Sequence, residues 1–400
     1  MGQNRFASLP GSPFPRLNAL IEGVQPGAPP IIMSLGEPAH AFPPFVSEAL
    51  RANEKDYGRY PPINGTPAFR QAVTGWLNRR FSLTEGALDP DRHVLPVNGT
   101  REALFNIALV ASPTEKAGRQ PAILIPNPFY QCYAAAALAA GAEPVYIPAT
   151  IETRHLPDFD AAGSDLLART SLIYFCSPAN PQGAVADLDY LKNLIDLARA
   201  HDIFLIVDEC YADIYDRDPP PSTLQAALEL NADPNDPFAN IIVFHSLSKR
   251  SNLPGLRSGF CAGDPGLMAR FQAFRNVAAP QSPLPVLAAA AAAWNDDAHA
   301  AQNRARYQKK IDTAERILGN RFGFYRPAGG FFLWLDVGDG EQAAMKLWRE
   351  AGLKTLPGKY LSQDDPSVPG GNPGASFIRL ALVQDEQQTE QALTRLAATL

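Results

Sequence analysis

Between about residues 60 and 280 the chain alternates short, almost wholly apolar runs with longer amphipathic ones, and this alternation restricts the fold more than any other feature. Apolar runs without polar residues at alternate positions belong to strands covered on both faces, and the helical runs between them supply the cover. The pattern therefore predicts an α/β domain with a mainly parallel sheet. Strands are expected at Ala122–Ile125, Pro144–Ile147, Leu172–Cys176, Ile203–Val207, Ile241–Phe244 and Gly259–Ala262. Thr66-Pro67 supplies an N-cap and a first-turn proline, after which Phe69, Val73, Trp76 and Leu77 recur at helical spacing. Asp187 caps a second helix in which Leu191, Leu194, Ile195 and Ala198 share one face, and which ends near His201, just before the Ile203 run. Strand, helix and strand in that order make a β-α-β crossover.

A length of 400 residues exceeds the roughly 250–300 that one hydrophobic core sustains, so a second domain is expected. Beyond residue 283 the texture changes to an alanine-rich helix, a long polar-faced helix from about Asp296 to Leu318, and strands at Phe331–Val337 and Phe377–Leu382. The proline-rich first 50 residues, with a strand-like run at Ile31–Leu35, do not fit the repeating pattern. The expected division is a segment 1–50 packing with the smaller domain, a large domain 51–285, and a small α+β domain 286–400. Proline, 38 of 400 residues, is about twice the average of ~5% and falls mostly between apolar runs, which favours short elements joined by stiff turns. The acidic, glycine-rich stretch Gln363–Gly374 reads as a surface loop.

Charge and patterning exclude several classes of function. Lys and Arg total 35 against 41 Asp and Glu, a net charge of −6, and no basic run exists to neutralise a string of phosphates. Neither nucleic acid nor an anionic membrane is an expected partner. The longest apolar run, Val286 to Trp294, covers 9 residues where a bilayer needs ~20. Met1 to Phe6 lack the features of a secretory signal, and the cysteines, Cys132, Cys176, Cys210 and Cys261, are widely spaced with no C-x-x-C pair. Free thiols and a cytoplasmic location are expected. The six histidines show no i, i+4 pair and no clustering with cysteine, so no metal site is expected.

In open parallel sheets, ligands bind beyond the carboxyl ends of the strands. The residues that follow the expected strands there are Pro126-Asn127-Pro128-Phe129-Tyr130, Ser177-Pro178-Ala179-Asn180-Pro181, Asp208-Glu209-Cys210-Tyr211 and His245-Ser246-Leu247-Ser248-Lys249. Each has a bland reading: a helix cap for Asp208, a turn for Asn180-Pro181, a solvated loop for Ser-x-Ser-Lys, packing for the tyrosines. Together they bring a ring, an amide, a carboxylate with a phenol, and a lysine flanked by hydroxyls to one sheet edge. A lysine to form an imine with an aldehyde, a carboxylate to keep a pyridine nitrogen protonated and donors for a phosphate describe pyridoxal phosphate. Gly99-Thr100, opening the helical run Arg101–Ala111, offers amides and a helix dipole to that phosphate, and Ser246, Ser248 and Arg257 complete the cup.

Asn180-Pro181-x-Gly183, Asp208-x-x-Tyr211, and Ser246-Leu247-Ser248-Lys249 with Arg257 resemble the motifs of the class I/II pyridoxal-phosphate aminotransferases. The resemblance runs from Leu35-Gly36-Glu37-Pro38 through Tyr60, Gly99-Thr100 and Tyr130 to Phe377-Ile378-Arg379-Leu380. Within that family, Asn127-Pro128-Phe129-Tyr130-Gln131 and Ser246-Leu247-Ser248-Lys249-Arg250-Ser251-Asn252 are similar to bacterial N-succinyldiaminopimelate aminotransferases of lysine biosynthesis. The resemblance implies fold type I: a large domain with a mainly parallel seven-stranded sheet covered by helices, plus a smaller α+β domain. It implies that Lys249 carries the cofactor and shuttles the proton, that Asp208 pairs with the ring nitrogen, and that Tyr211 and Asn180 bond the ring's 3-oxygen. Tyr130 would stack on the ring. Ser246, Ser248, Arg257 and the backbone at Gly99 and Thr100 would hold the phosphate, joined by Tyr60 from a second subunit and hence in a homodimer. Arg379 would grip the α-carboxylate of amino-acid and 2-oxo-acid substrates, assisted by Asn180 and Gly36.

Two positions depart from the family pattern. Gln182 stands where many relatives have threonine, and Arg101 replaces a smaller residue, bearing either on the phosphate charge or on a distal substrate carboxylate. Asn276–Leu287 lacks the arginine of dicarboxylate-specific relatives, so a longer acyl substrate, N-succinyl-LL-2,6-diaminopimelate exchanging with 2-oxoglutarate, is expected. Aspartate, aromatic or alanine specificity, or a lyase of the same fold, is the alternative. The S-x-x-K of serine acyl-hydrolases fits poorly because Ser246 follows a strand, and a P-loop reading of Gly352 to Lys359 has the wrong spacing. A transcription regulator would need a DNA-binding helix-turn-helix ahead of the fold, and none is read here.

Overall fold

The computed structural model describes residues 6–230 and 232–400. Residues 1–5, on which the expected absence of a secretory signal rests, lie outside them. The two expected helices form at Pro67–Phe81 and Leu188–Ala200. Thr66 Oγ1 accepts the Phe69 amide at 3.2 Å and Asp187 Oδ1 the Tyr190 amide at 2.8 Å, so each cap satisfies one of the helix's otherwise orphaned donors.

In chain order the strands are β1 (Ile31–Ile32), β2 (Val94–Val97), β3 (Ala122–Asn127), β4 (Glu143–Pro148), β5 (Thr170–Cys176), β6 (Phe204–Asp208), β7 (Ile241–Ser246), β8 (Gly259–Gly263), β9 (Phe332–Asp336), β10 (Leu353–Lys354), β11 (Leu356–Pro357) and β12 (Phe377–Ala381). Seven of them form the sheet β2-β8-β7-β6-β5-β3-β4, in which only β8 runs antiparallel to its neighbours. This is the mainly parallel seven-stranded sheet of the type I fold. The strand the apolar runs did not disclose is β2: Pro96 sits within it, and proline cannot donate to a ladder, which suits only an edge such as this.

Both faces of the sheet are covered. β3 sends Leu124 to one core and Ile123 and Ile125 to the other, and β5 divides Ile173 and Phe175 from Leu172 and Tyr174 in the same way. On the first face lie Phe69, Val73, Trp76 and Leu77 with Leu191, Leu194 and Ile195; on the second lie the helices Thr100–Ala111, Gln131–Ala139 and Pro265–Ala278. The alanine-rich helix, Leu284–Asn295, was expected with the C-terminal part but packs Leu287, Ala290 and Trp294 into the first core, with Trp76 and Trp294 ring centroids 4.7 Å apart. Truncating Trp76, 2% exposed, should cost about 3–5 kcal/mol.

A separate core surrounds the antiparallel sheet β11-β12-β9, with Ile311, Ala314, Leu333, Leu347, Ile378, Leu380 and Leu393. The N-terminal segment is divided: Ile31 and Met33 join this second core, whereas Val46 joins the first. The long helix Ala298–Leu318 runs from Asn303, which bonds the Lys249 carbonyl at 3.1 Å, to Ile311 and Leu318 in the second core. No helix among the described residues is long and apolar enough to cross a membrane, and all four cysteines are free.

One contact between these parts is pH-sensitive. Lys310 Nζ, 1% exposed as a residue, donates to His40 Nε2 and to the Leu382 carbonyl, each at 2.8 Å. Burial, then Lys310 and Arg306, lower His40 from 6.5 to about 4, with Asp385 opposing. The folded protein therefore binds fewer protons than the unfolded chain between those values, so stability present above pH 6.5 is lost as the pH falls towards 4. Replacing His40 by glutamine should flatten this acid limb in urea-denaturation midpoints measured across that range, while an unchanged slope would place the acid sensitivity elsewhere.

Candidate active site

Strands β7, β6, β5 and β3 are consecutive neighbours, so the segments leaving their carboxyl ends open into one cleft. That cavity, about 1220 Å³, is lined by Gly36, Thr100, Arg101, Tyr130, Asn180, Asp208, Tyr211, Ser246, Ser248, Lys249, Arg257 and Arg379. The sequence-predicted residues are thus brought together with two exceptions. Gly99 lies just behind Arg257, and Tyr60 is 99% exposed away from this cleft.

Lys249 lies in the short helix Leu247–Arg250 directly after β7, and its Nζ donates to the Gly36 carbonyl at 2.6 Å. Burial lowers the pKa of its amine, and the Arg379 guanidinium adds to the effect. Asp208 ends β6 and is 5% exposed. Its Oδ1 accepts the Cys210 amide at 3.2 Å and its Oδ2 the Tyr133 hydroxyl at 3.4 Å, while no cation among the described residues is paired with it. Burial raises its pKa. A carboxylate withdrawn from water and left with two long bonds is a place for a positive donor.

Arg379, in the middle of β12, is 4% exposed. It donates through Nη1 to Asn180 Oδ1 at 3.0 Å and through Nη2 to the Ser34 carbonyl at 2.7 Å, and its guanidinium covers the Phe332 ring at 4.4 Å. Burial pulls its pKa down to about 10, and its Nε has no partner although buried. An anion entering the cleft would meet an open donor there. Tyr211, 6% exposed, is set edge-on to Phe331 and Phe332.

The anion cup forms around the start of the Thr100–Ala111 helix, where the first amides have no intrahelical partner. Gly99 caps it at φ 78°, and any Cβ there would collide with the Arg257 guanidinium, so both backbone freedom and space demand glycine. Arg257 is held over the cup by bonds to the Pro254 carbonyl, 2.8 Å, and the Asn98 carbonyl, 3.2 Å. Ser246 Oγ donates to Ser248 Oγ at 2.9 Å on the opposite rim. Arg101 Nε donates to the Tyr130 hydroxyl, whose pKa burial pushes up to about 12.

These residues fit pyridoxal 5′-phosphate: a lysine with a lowered pKa, a buried carboxylate lacking a cation, a ring beside both and a cationic cup at a helix start. Sequence reasoning missed Tyr133, which lies three residues after Tyr130 on the helix Gln131–Ala139 and stacks on Tyr174 at 4.5 Å. That spacing was the available signal. It also missed Phe332 and the stretch Leu9 to Phe14, which line the cleft and carry no motif.

The model of the family aminotransferase class I and II matches residues 29–396. An LL-diaminopimelate aminotransferase of Dehalococcoides mccartyi is 30% identical over 98% of this chain and 97% of its own length. A crystal structure of an aminotransferase from Neisseria meningitidis superposes with a TM-score of 0.92 at 37% identity, covering 99% of each chain. A probable N-succinyldiaminopimelate aminotransferase from Thermus thermophilus gives 0.81 at 25% identity over 97% of this chain and 100% of that one.

Replacing Gly99 by alanine should displace Arg257 and weaken pyridoxal 5′-phosphate binding by about tenfold or more, since a φ-strained side chain and a misplaced cation act together. Equilibrium dialysis of the full-length protein measures it. Wild-type affinity in a folded G99A protein would show that this loop does not hold the cofactor.

Proposed function

The chain belongs to the class I and II aminotransferases, pyridoxal-phosphate enzymes that pass amino groups between amino acids and 2-oxo acids, and within them we propose that its donor is N-succinyl-LL-2,6-diaminopimelate and its acceptor 2-oxoglutarate. The observation that carries this reading is Arg101. Arg257 and the helix start suit a phosphate, Arg379 an α-carboxylate and Asp208 a ring nitrogen, which leaves one cation in the cleft with no carboxylate paired to it among the described residues. It suits a remote carboxylate. The distal end of free diaminopimelate is a zwitterion whose ammonium offsets its carboxylate, whereas succinylation removes that ammonium and adds a second carboxylate, leaving a net negative end for this guanidinium. The cavity of about 1220 Å³ leaves room for the longer acyl chain, and the similarity to a probable N-succinyldiaminopimelate aminotransferase points the same way, while relatives named for LL-diaminopimelate itself support only the wider diaminopimelate class.

When bound, pyridoxal 5′-phosphate supplies an aldehyde carbon that takes up the amino group and a ring that draws off the electron pair at the α-carbon. The residues of this chain do the rest. Lys249, its amine favoured in the neutral form by burial, anchors the cofactor and moves a proton between the substrate's α-carbon and the cofactor's C4′. Asp208 holds the ring nitrogen protonated, and in doing so gains the cation that its buried carboxylate lacks. Asn180 and Tyr211 would direct donors to the ring's 3-oxygen, and Tyr130 would lie against the ring face. Arg379 takes the α-carboxylate through its open Nε and neighbouring Nη, orienting the scissile C–H bond towards Lys249. Gly36, whose carbonyl accepts the Lys249 amine, brings the first strand segment to the same carboxylate. Tyr60, fully exposed on this chain, is assigned to the phosphate cup of a second copy in a homodimer.

Steady-state comparison of donors tests the substrate. N-succinyl-LL-2,6-diaminopimelate should exceed aspartate and alanine in kcat/KM, and a preference for either of the latter would end this assignment while leaving the aminotransferase chemistry intact. Arg101→Gln should raise KM for the succinylated donor by about tenfold with little change for alanine, the loss of one charged contact. Lys249→Ala should lower turnover by roughly 10³-fold or more, and the wild-type rate should fall as the pH drops through the lowered pKa of the amine, where the base becomes protonated.

A further inference from the structure

Beside the phosphate cup lies an ion pair that no step above uses. Arg275, 1% exposed, donates through Nη1 to Glu102 Oε1 at 2.7 Å and Oε2 at 2.8 Å. Glu102 occupies the first turn of the Thr100–Ala111 helix, where its Oε1 also accepts the Asn98 amide at 2.9 Å and its Oε2 the Asn106 amide group at 3.0 Å. Arg275 Nη2 reaches the Asn98 side-chain oxygen at 3.5 Å and the Pro280 carbonyl at 3.2 Å. Asn98 is thereby gripped three ways: at its amide by Glu102, at its side chain by Arg275, and at its carbonyl by Arg257. The residue after it is Gly99, the cap of the cup.

The arrangement carries a conflict. A carboxylate in a helix's first turn is stabilised by the dipole, but so is a phosphate at the same terminus, and two anions sharing it repel. Glu102 braces the loop only if its charge is cancelled. We propose that Arg275 is a positioning residue for cofactor binding: it neutralises Glu102, so that Glu102 can hold Asn98 and Gly99 in place without repelling the cofactor's phosphate. This rests on the reading that Gly99, Thr100 and Arg257 form the phosphate cup.

The distinguishing property is dependence on the phosphate group, which a merely structural ion pair would not show. The full-length protein, freed of cofactor by dialysis, is titrated with pyridoxal 5′-phosphate and with pyridoxal, following the chromophore. Arg275→Met should weaken the phosphorylated ligand by about tenfold and pyridoxal by less than about twofold, as expected for one uncompensated charge near a dianion. Adding Glu102→Gln should restore most of the lost affinity, because the repelling charge is gone. Equal weakening of both ligands, or no recovery in the double variant, overturns the inference. Should Arg275→Met fail to fold, Glu102→Gln alone decides: affinity for the phosphorylated ligand, relative to pyridoxal, must be kept or improved, and a selective loss refutes the proposal. Arg257→Gln separates the two layers. If it discriminates between the ligands while the Arg275 variants do not, only the present inference fails; if it does not discriminate, the cup lies elsewhere and both readings fall.

Discussion

The cost of keeping the Asp208 carboxylate out of water organises the site. An ionised carboxylate in a low-dielectric interior needs partners, and among the described residues those bonded to it are neutral: the Cys210 amide at 3.2 Å, the Cys210 thiol and the Tyr133 phenol at 3.4 Å. Its pKa is raised accordingly. The strand that carries it cannot be moved outwards, because β6 lies between β5 and β7 and both its faces are buried. The penalty is therefore built into the sheet, and a cationic ring nitrogen arriving in the cleft would relieve it. Cofactor affinity is in part deferred folding energy. The same holds for Arg379, buried with Nε open, so that on the proposed roles substrate carboxylate and cofactor ring would each complete a bonding pattern left incomplete by the fold.

The lysine is fixed by the opposite strategy, saturation. Arg250, next in sequence and 3% exposed, bonds Asp213 at 2.6 Å, Asp297 at 2.9 Å and the carbonyls of Ala293 and Asp296 at 2.8 and 3.1 Å, beside the packed rings of Trp76 and Trp294. Burial would raise the Asp213 carboxyl, but Arg250 and Arg80 outweigh it and hold it below the ordinary range. Asn303 secures the carbonyls of Lys249 and Arg250. Ser251 Oγ lies 2.8 Å from His299 Nε2, and His299 Nδ1 lies 2.7 Å from Asp296 Oδ1, distances that match an acyl-hydrolase triad. Ser251 is 1% exposed, so its hydroxyl meets no substrate and the trio serves as a brace for the loop. These bonds fix the backbone from which the Lys249 side chain enters the cleft.

Much of this was legible in the sequence because the chemistry sits where the periodicity ends. Asp208, Asn180, Tyr130 and Lys249 each follow an uninterrupted apolar run, and strand order then brings those ends together. The edge strand β2 was illegible because Pro96 breaks the apolar pattern that identified the others. The alanine-rich helix Leu284–Asn295 was assigned to the wrong neighbour because alanine faces carry no directional signal: small, uniformly apolar surfaces pack against either core. Long-range donors and acceptors, such as the Gly36 and Ser34 carbonyls, belong to backbone that no side-chain pattern marks. Tyr60 stands apart: on this chain it is an exposed aromatic, and its proposed place in a second copy's site leaves no mark on its surroundings here.

Positions 100 to 102 show how closely opposed charges are set at the mouth of one helix. Thr100 begins it, Arg101 turns its guanidinium to Tyr130 and the cleft, and Glu102, which also borders the cleft, pairs its carboxylate with the buried Arg275. Helical geometry separates consecutive side chains by about 100°, so adjacent residues of opposite sign serve different neighbours without pairing with each other. On the proposals made above, the cleft would present a cation to substrate while the carboxylate that braces the loop is neutralised by Arg275. Exchanging the two residue types would put the anion beside the phosphate and leave a cation facing Arg275, failing on both sides. Their order along the chain is therefore set by which side of the helix faces the cofactor, a constraint of phase rather than of composition.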